Sequence, residues 1–282
     1  MIHTMNILGS PVLLICCFTF IIHLTESLAY GMRLAGLRTK KIAIAMAFVT
    51  STLLISRLSN MFQAPLLGTM VDGAILEGSP QILNQLELHF RLIIFAAFCG
   101  AFMGAFLTPT TVQIFKKAIQ RFAIKGSIPM LALSGLKPSN FIKLCKLFRL
   151  PRLSSLKTIS LATIPKSFLI INIFVTSIYC IGVLCSLLAG AYLPEFRATA
   201  IQLSGIVNGM ATIMFTLFVD PPGARVTDQA IHNEKTENDV RSVVFFLQLG
   251  KITGTLIIAQ LLLKPFTSYI MLITKWLSSA LI

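Results

Sequence analysis

Phe168-Leu-Ile-Ile-Asn-Ile-Phe-Val-Thr-Ser-Ile-Tyr-Cys-Ile-Gly-Val-Leu-Cys-Ser-Leu-Leu-Ala-Gly-Ala-Tyr-Leu193 runs from end to end without one charged side chain. A helix of ~20 apolar residues spans the ~30 Å hydrocarbon core of a bilayer, and inside lipid the backbone must satisfy its own hydrogen bonds. The stretch therefore predicts a membrane-spanning helix. Residues 7–30, 42–64, 92–112, 198–219 and 243–263 read the same way, which makes six spans. Residues 266–282 are apolar as well, but the run is short and carries Lys275, so an interfacial helix, a re-entrant piece and a seventh span all stay open. The whole chain agrees with this reading. Of 282 residues 55% are hydrophobic and 12% charged, with a mean hydropathy of +0.83, and a soluble fold of that size has nowhere to bury so much apolar surface. The predicted fold class is an all-α, polytopic membrane helix bundle.

Orientation follows from where lysine and arginine fall between the spans. Arg33, Arg38, Lys40 and Lys41 lie between the first two with no acid, whereas the next connection holds Asp72, Glu77 and Glu87, with Arg91 only at its end. The first connection is expected on the cytoplasmic side and the N-terminus outside. From Gln113 to Lys166 eleven Lys and Arg residues occur without an Asp or Glu, which makes that segment cytoplasmic too. The chain then divides into a first membrane triplet (1–112), a basic cytoplasmic or interfacial loop (113–167), a second triplet (168–263) and an apolar tail (264–282). Nothing before Arg33 carries a Lys or Arg, so the first apolar run is expected to be a retained helix and not a cleaved signal.

Within the basic loop, Phe141-Ile-Lys-Leu-Cys-Lys-Leu-Phe-Arg-Leu150 sets Lys143, Lys146 and Arg149 three residues apart, with Phe141, Leu144, Cys145 and Phe148 left for an apolar face. That pattern predicts a helix lying on the membrane, its cations on anionic lipid headgroups at about 1 kcal/mol each. The net charge of +14 comes mostly from this loop, and with no soluble domain to present a groove reader a nucleic-acid partner is not expected. The six cysteines form no CxxC or Cys/His pattern and read as packing residues, without disulfide or metal.

Ionisable groups inside spans are the informative ones, because burying them in hydrocarbon costs several kcal/mol without a wet cavity or a partner. His23, Glu26, Tyr30 and Arg33 follow each other at spacings of three, four and three and share one face. Arg57 and Asn60 share a face of the second span, Gln202 and Asn208 lie in the fifth, and Gln248, Lys251 and Gln260 in the sixth. Counted from the first basic cluster, Glu26 and Arg57 differ by ~16 Å in depth at 1.5 Å per residue. Arg57 is then expected in the outer half near Gln202 or the Glu195 and Arg197 turn, and Glu26 near the inner face with Arg33, Arg38 or Asp220. With three spans on each side of the basic loop the second triplet enters from the opposite side, so an inverted repeat is permitted. A faint echo accompanies it: Arg57-Leu-Ser-Asn60 and Val71-Asp72 against Gln202-Leu-Ser-Gly205 and Val219-Asp220.

No paired-carboxylate magnesium site, GxSxG, Walker loop or HExxH occurs, so neither catalysis nor a cofactor is called for. A membrane enzyme and a non-transporting membrane assembly factor are the alternatives to a transporter.

Three stretches carry a more specific likeness: His23-Leu-Thr-Glu-Ser-Leu-Ala-Tyr-Gly-Met-Arg33 running on to Thr39, Ser56-Arg-Leu-Ser-Asn-Met-Phe-Gln-Ala-Pro65 running on to Met70, and Leu193-Pro-Glu-Phe-Arg-Ala-Thr-Ala-Ile-Gln-Leu-Ser-Gly205 continued at Val219-Asp-Pro221. Together they resemble the Amj family of bacterial lipid II flippases, which act beside MurJ. The resemblance implies export of an undecaprenyl-pyrophosphate-linked peptidoglycan precursor from the inner to the outer leaflet of the cell membrane. On that reading the residues expected to bind the headgroup are Arg57, Asn60, Arg33, Arg38, Gln202, Asn208 and Arg197. Arginine suits a pyrophosphate because its planar fork donates two hydrogen bonds at once. Glu26 with His23 is the place expected to bind a proton or ion. The implied partners are lipid II and anionic membrane lipids, with homo-oligomerisation left open. Without a nucleotide site the drive must be the lipid gradient, an ion gradient or the membrane potential.

Overall fold

The structure is a computed structural model that describes residues 11–135, 137–163 and 165–281, and every regular element in it is helical. Residues 7–10 of the first predicted span lie outside the described residues. Helix α1 covers Pro11–Thr39, with a proline at its start where the missing N–H costs nothing. The chain reverses at Lys40, whose φ is 53°, and α2 runs Ile42–Glu77. Gly78 ends α2 in the left-handed conformation, its N–H bonded to the Ala74 carbonyl. Ser79 then caps α3, Pro80–Phe106, by accepting a hydrogen bond from the Ile82 N–H, with Pro80 in the first turn.

This corrects the connection that the sequence placed between the second and third spans. The turn is two residues long, and Asp72, Glu77 and Glu87 all sit on helices. Pro65 lies inside α2 without ending it, and the third span starts a dozen positions earlier than hydropathy places it. At 36 residues α2 is about 54 Å long, well beyond a ~30 Å hydrocarbon core, so its last turns carry acids without leaving the helix.

After a break at Leu107, α4 covers Thr108–Lys125, and α5 (Ile128–Gly135) and α6 (Pro138–Cys145) follow. The basic segment is therefore helical over much of its length. The surface helix expected across 141–150 stops at Cys145, with Lys143, Cys145, Lys146, Phe148 and Arg149 exposed. Beyond it the chain turns, and the Arg149 backbone N–H and C=O pair with Thr110 Oγ1 of α4 at 2.9 and 3.0 Å.

Helix α7 (Lys166–Tyr192), α8 (Arg197–Met214), a wide π-type turn at Phe215–Val219 and α9 (Asp220–Ile231) form the next long hairpin. Helix α10 (Glu237–Thr253) opens on a capping box, Thr236 with Asp239. A second π-type turn at Gly254–Ile258 joins it to α11 (Ala259–Leu281). The apolar tail is thus the end of the same long helix and not a separate span. Six helices are long and apolar enough to cross a membrane.

Helix α1 packs along α2, α3 and α4, and α7 along α8, α10 and α11. The α1–α3 contact is close because of a small-residue seam: a side chain at Gly100 would run into the Phe20 carbonyl. Ser27 Oγ seals the seam by donating to the Ala101 carbonyl at 3.0 Å. Leu54, Ile55, Leu58, Met61 and Phe62 of α2 are exposed, as a helix with one side in lipid requires.

Candidate functional site

Between these helices, roughly midway along α1, lies a cavity of about 130 Å³. Its walls come from both parts of the chain: Thr19 and His23 of α1, Ser56, Arg57, Asn60 and Gln63 of α2, Tyr179 of α7 and Asn208 of α8, with Ile93 and Ile94 of α3 closing the apolar side. It holds about four water molecules' worth of space. Two buried polar atoms on its wall, His23 Nδ1 and Asn208 Oδ1, have no hydrogen-bond partner among the described residues. Gln63 is held by a 2.5 Å hydrogen bond from its Nε2 to Thr19 Oγ1.

Beneath the cavity is a buried ion pair. Lys251 Nζ, only 3% exposed, donates to Glu26 Oε2 at 2.5 Å, while Ser56 Oγ donates to the other carboxylate oxygen at 3.2 Å. His23 Nδ1 lies 3.9 Å from Glu26. Gln248, one turn before Lys251, donates to the Ser27 carbonyl at 3.1 Å and to Thr108 Oγ1 at 2.6 Å. An isolated charge here would cost several kcal/mol, and the lysine and serine together neutralise and solvate the carboxylate.

The ~16 Å depth difference that the sequence set between Glu26 and Arg57 is not what the structure has. Because α1 continues to Thr39, Glu26 and Ser56 stand almost equally far from the turn at Lys40 and hydrogen-bond each other. Glu26 is not among Arg33, Arg38 and Asp220. Those three belong to a separate layer nearer the Lys40 turn, where Arg33 Nη2 donates to Asp220 Oδ1 at 2.7 Å and Arg38 Nη2 to Glu237 Oε1 at 2.6 Å. Arg197 meets neither Arg57 nor the cavity wall, but forms an ion pair with Asp72 near the opposite end of α2. Gln202 is exposed on α8 and does not line the cavity.

Of the residues singled out from sequence, then, Arg57, Asn60, Asn208 and His23 come together on one cavity and Glu26 lies directly against it. Arg33, Arg38 and Arg197 serve ion pairs that tie helices together. Lys251, noted in the sequence as an intramembrane charge, was not assigned to the site, and neither were Gln63, Ser56 and Tyr179. For Lys251 a signal existed, because a lone lysine deep in an apolar run requires a carboxylate and Glu26 is the acid of the first span.

A bundle of six long apolar helices around a buried charge pair and a polar-lined cavity defines a multi-pass membrane protein. The chain belongs to the family described as Amj, Alternate to MurJ, whose model matches residues 18–274. It is 35% identical to the protein named Lipid II flippase Amj of Bacillus subtilis (strain 168), over 273 residues that cover 96% of this chain and 100% of the relative. No solved structure matches.

Proposed function

We propose that this protein is a lipid II flippase, carrying the undecaprenyl-pyrophosphate-linked precursor from the inner to the outer leaflet of the cell membrane. The observation that carries the reading is the cavity itself: an arginine with no ion-pair partner among the described residues, Arg57, faces polar walls contributed by both parts of the chain. A pyrophosphate loses its hydration on leaving water, at a cost no hydrocarbon offsets. Arg57, Asn60 and Asn208 are of the chemistry that replaces it, with the arginine fork matching the phosphate oxygens. The polyprenyl tail stays in lipid throughout, so only the headgroup needs a protein path.

At about 130 Å³ the cavity is far smaller than a disaccharide peptide, so transport requires it to widen. Two ion pairs stand where opening would occur. Arg33–Asp220 ties α1 to α9 toward the Lys40 turn, and Arg197–Asp72 ties α8 to α2 toward the Gly78 turn. Both acids belong to the Val-Asp echo of the two long hairpins, and each is held by an arginine from the other part of the chain. That pattern supports inverted halves rocking about the cavity, with each pair breaking in turn. The basic segment supports an orientation with the Lys40 turn in the cytoplasm. Glu26, held by Lys251, and the neighbouring His23 are the proposed site of proton coupling.

The test is reconstitution. Purified protein in liposomes should expose a labelled lipid II headgroup to an enzyme added outside, and a rate equal to that of empty liposomes would overturn the proposal.

A further inference from the structure

A second, larger cavity of about 810 Å³ opens on the side of the bundle, at the end that carries the Arg38–Glu237 pair. It is a groove between the start of α7 and the far half of the long helical run formed by α8 and α9. Its apolar wall includes Phe168, Ile171, Leu217 and Phe218, and its rim carries Arg225 and Lys235. Leu217 and Phe218 are 61% and 45% exposed, so the wall faces outward, as a surface against lipid chains would. Neither Arg225 nor Lys235 has an ion-pair partner among the described residues, and no Asp or Glu lines the groove. The wall is formed where α8 loosens into the π-type turn at Phe215–Val219 and Pro221 and Pro222 follow, and breaks of this kind recur at functional sites. The volume lies within the range of pockets that enclose a ligand, ~300–1,000 Å³.

We infer that this groove is the docking site for the pyrophosphate end of the polyprenyl-linked lipid in the leaflet from which it is taken, with Arg225 and Lys235 on the phosphates and the first isoprene units along Leu217, Phe218 and Phe168. The inference rests on the flippase reading. Charge and shape select the occupant: two unpaired cations at one edge and an apolar trough leading into the bilayer suit an anionic head joined directly to a hydrocarbon chain. Position agrees with the role. Pro221 adjoins Asp220, so a lipid seated here touches the segment that carries the Arg33 ion pair.

Thiol protection tests it on the full chain. With the six native cysteines replaced, Gln229→Cys places a single thiol on the groove wall, in nanodiscs of phosphatidylcholine. Farnesyl pyrophosphate should slow maleimide labelling and farnesol should not. Arg225→Gln or Lys235→Gln should each raise the half-protecting concentration about tenfold. Asn238→Cys, off the groove, reports folding and should label at one rate with or without the probe. Absence of protection overturns the inference, and so does equal protection by added phosphatidylglycerol, which would make the groove a general anionic-lipid site. Protection without transport in liposomes would keep the groove and remove the flippase reading, while transport without protection would do the reverse.

Discussion

Glu26 of α1 accepts a 2.5 Å hydrogen bond from Lys251 of α10, across 225 positions of sequence. The pair fastens α1 to α10 directly under the cavity. Removing one partner of a buried pair leaves the other charge stranded at about 3–5 kcal/mol, whereas removing both costs far less. Lys251→Met alone should therefore lower the thermal stability of the detergent-purified protein sharply. Glu26→Gln combined with Lys251→Met should restore most of it, measured by fluorescence-detected size exclusion after heating. A loss in the double variant equal to the sum of the losses in Glu26→Gln and Lys251→Met alone would mean that the two residues act independently.

Voltage separates a coupled carrier from a passive one. Outward movement of a pyrophosphate is favoured by about 2.3 kcal/mol per elementary charge at 100 mV, inside negative. In liposomes with a potassium-diffusion potential the flipping rate should rise when the interior is negative, and Glu26→Gln should flatten its pH profile. A rate indifferent to potential, with the wild-type pH profile retained in Glu26→Gln, would make the protein a passive path.

Orientation can be read with impermeant thiol reagents on intact cells. Single cysteines at Ser79 and Lys264 should label from outside and one at Ser127 should not. Labelling at Ser127 would invert the assignment made from Lys and Arg.

The two ion pairs predict opposite shifts. Each is partly exposed and so worth at most about 1 kcal/mol, a fivefold change in a two-state balance. Asp72→Asn should raise labelling of an Asn60→Cys thiol from the Gly78 side, and Asp220→Asn should lower it. Exchanging the charges, Asp72→Arg with Arg197→Asp, should return labelling toward wild type. If neither single variant moves the labelling, the pairs do not gate the cavity.

Six apolar runs and the helical class were legible because lipid imposes hydropathy directly on sequence. Helix ends were less so, since hydropathy marks where lipid lies and α2 continues beyond it to Glu77. The Gly78-Ser-Pro80 turn was nonetheless written in the chain as a left-handed stop, a cap and a first-turn proline. Of the site, Arg57, Asn60 and Asn208 could be picked out as polar groups at intramembrane positions, and the structure gathers them. That Lys251 needs a carboxylate could be read as well, but not that α10 lies against α1 to let Glu26 supply it, because which helices are neighbours is decided by packing seams such as Gly100 against Phe20 and not by order along the chain. The depth estimate for Arg57 failed for a related reason: it measured from the basic cluster, while α1 runs through that cluster to Thr39.

Flipping of labelled lipid II by Arg57 variants in liposomes tests the central claim most directly. Wild-type protein should expose the headgroup to an external enzyme well above the empty-liposome rate. Arg57→Ala should fall to that background with folding intact, and Arg57→Lys should recover only part, since a lysine keeps the charge and loses the planar fork. Full activity in Arg57→Ala would contradict the account and remove the cavity from the transport path.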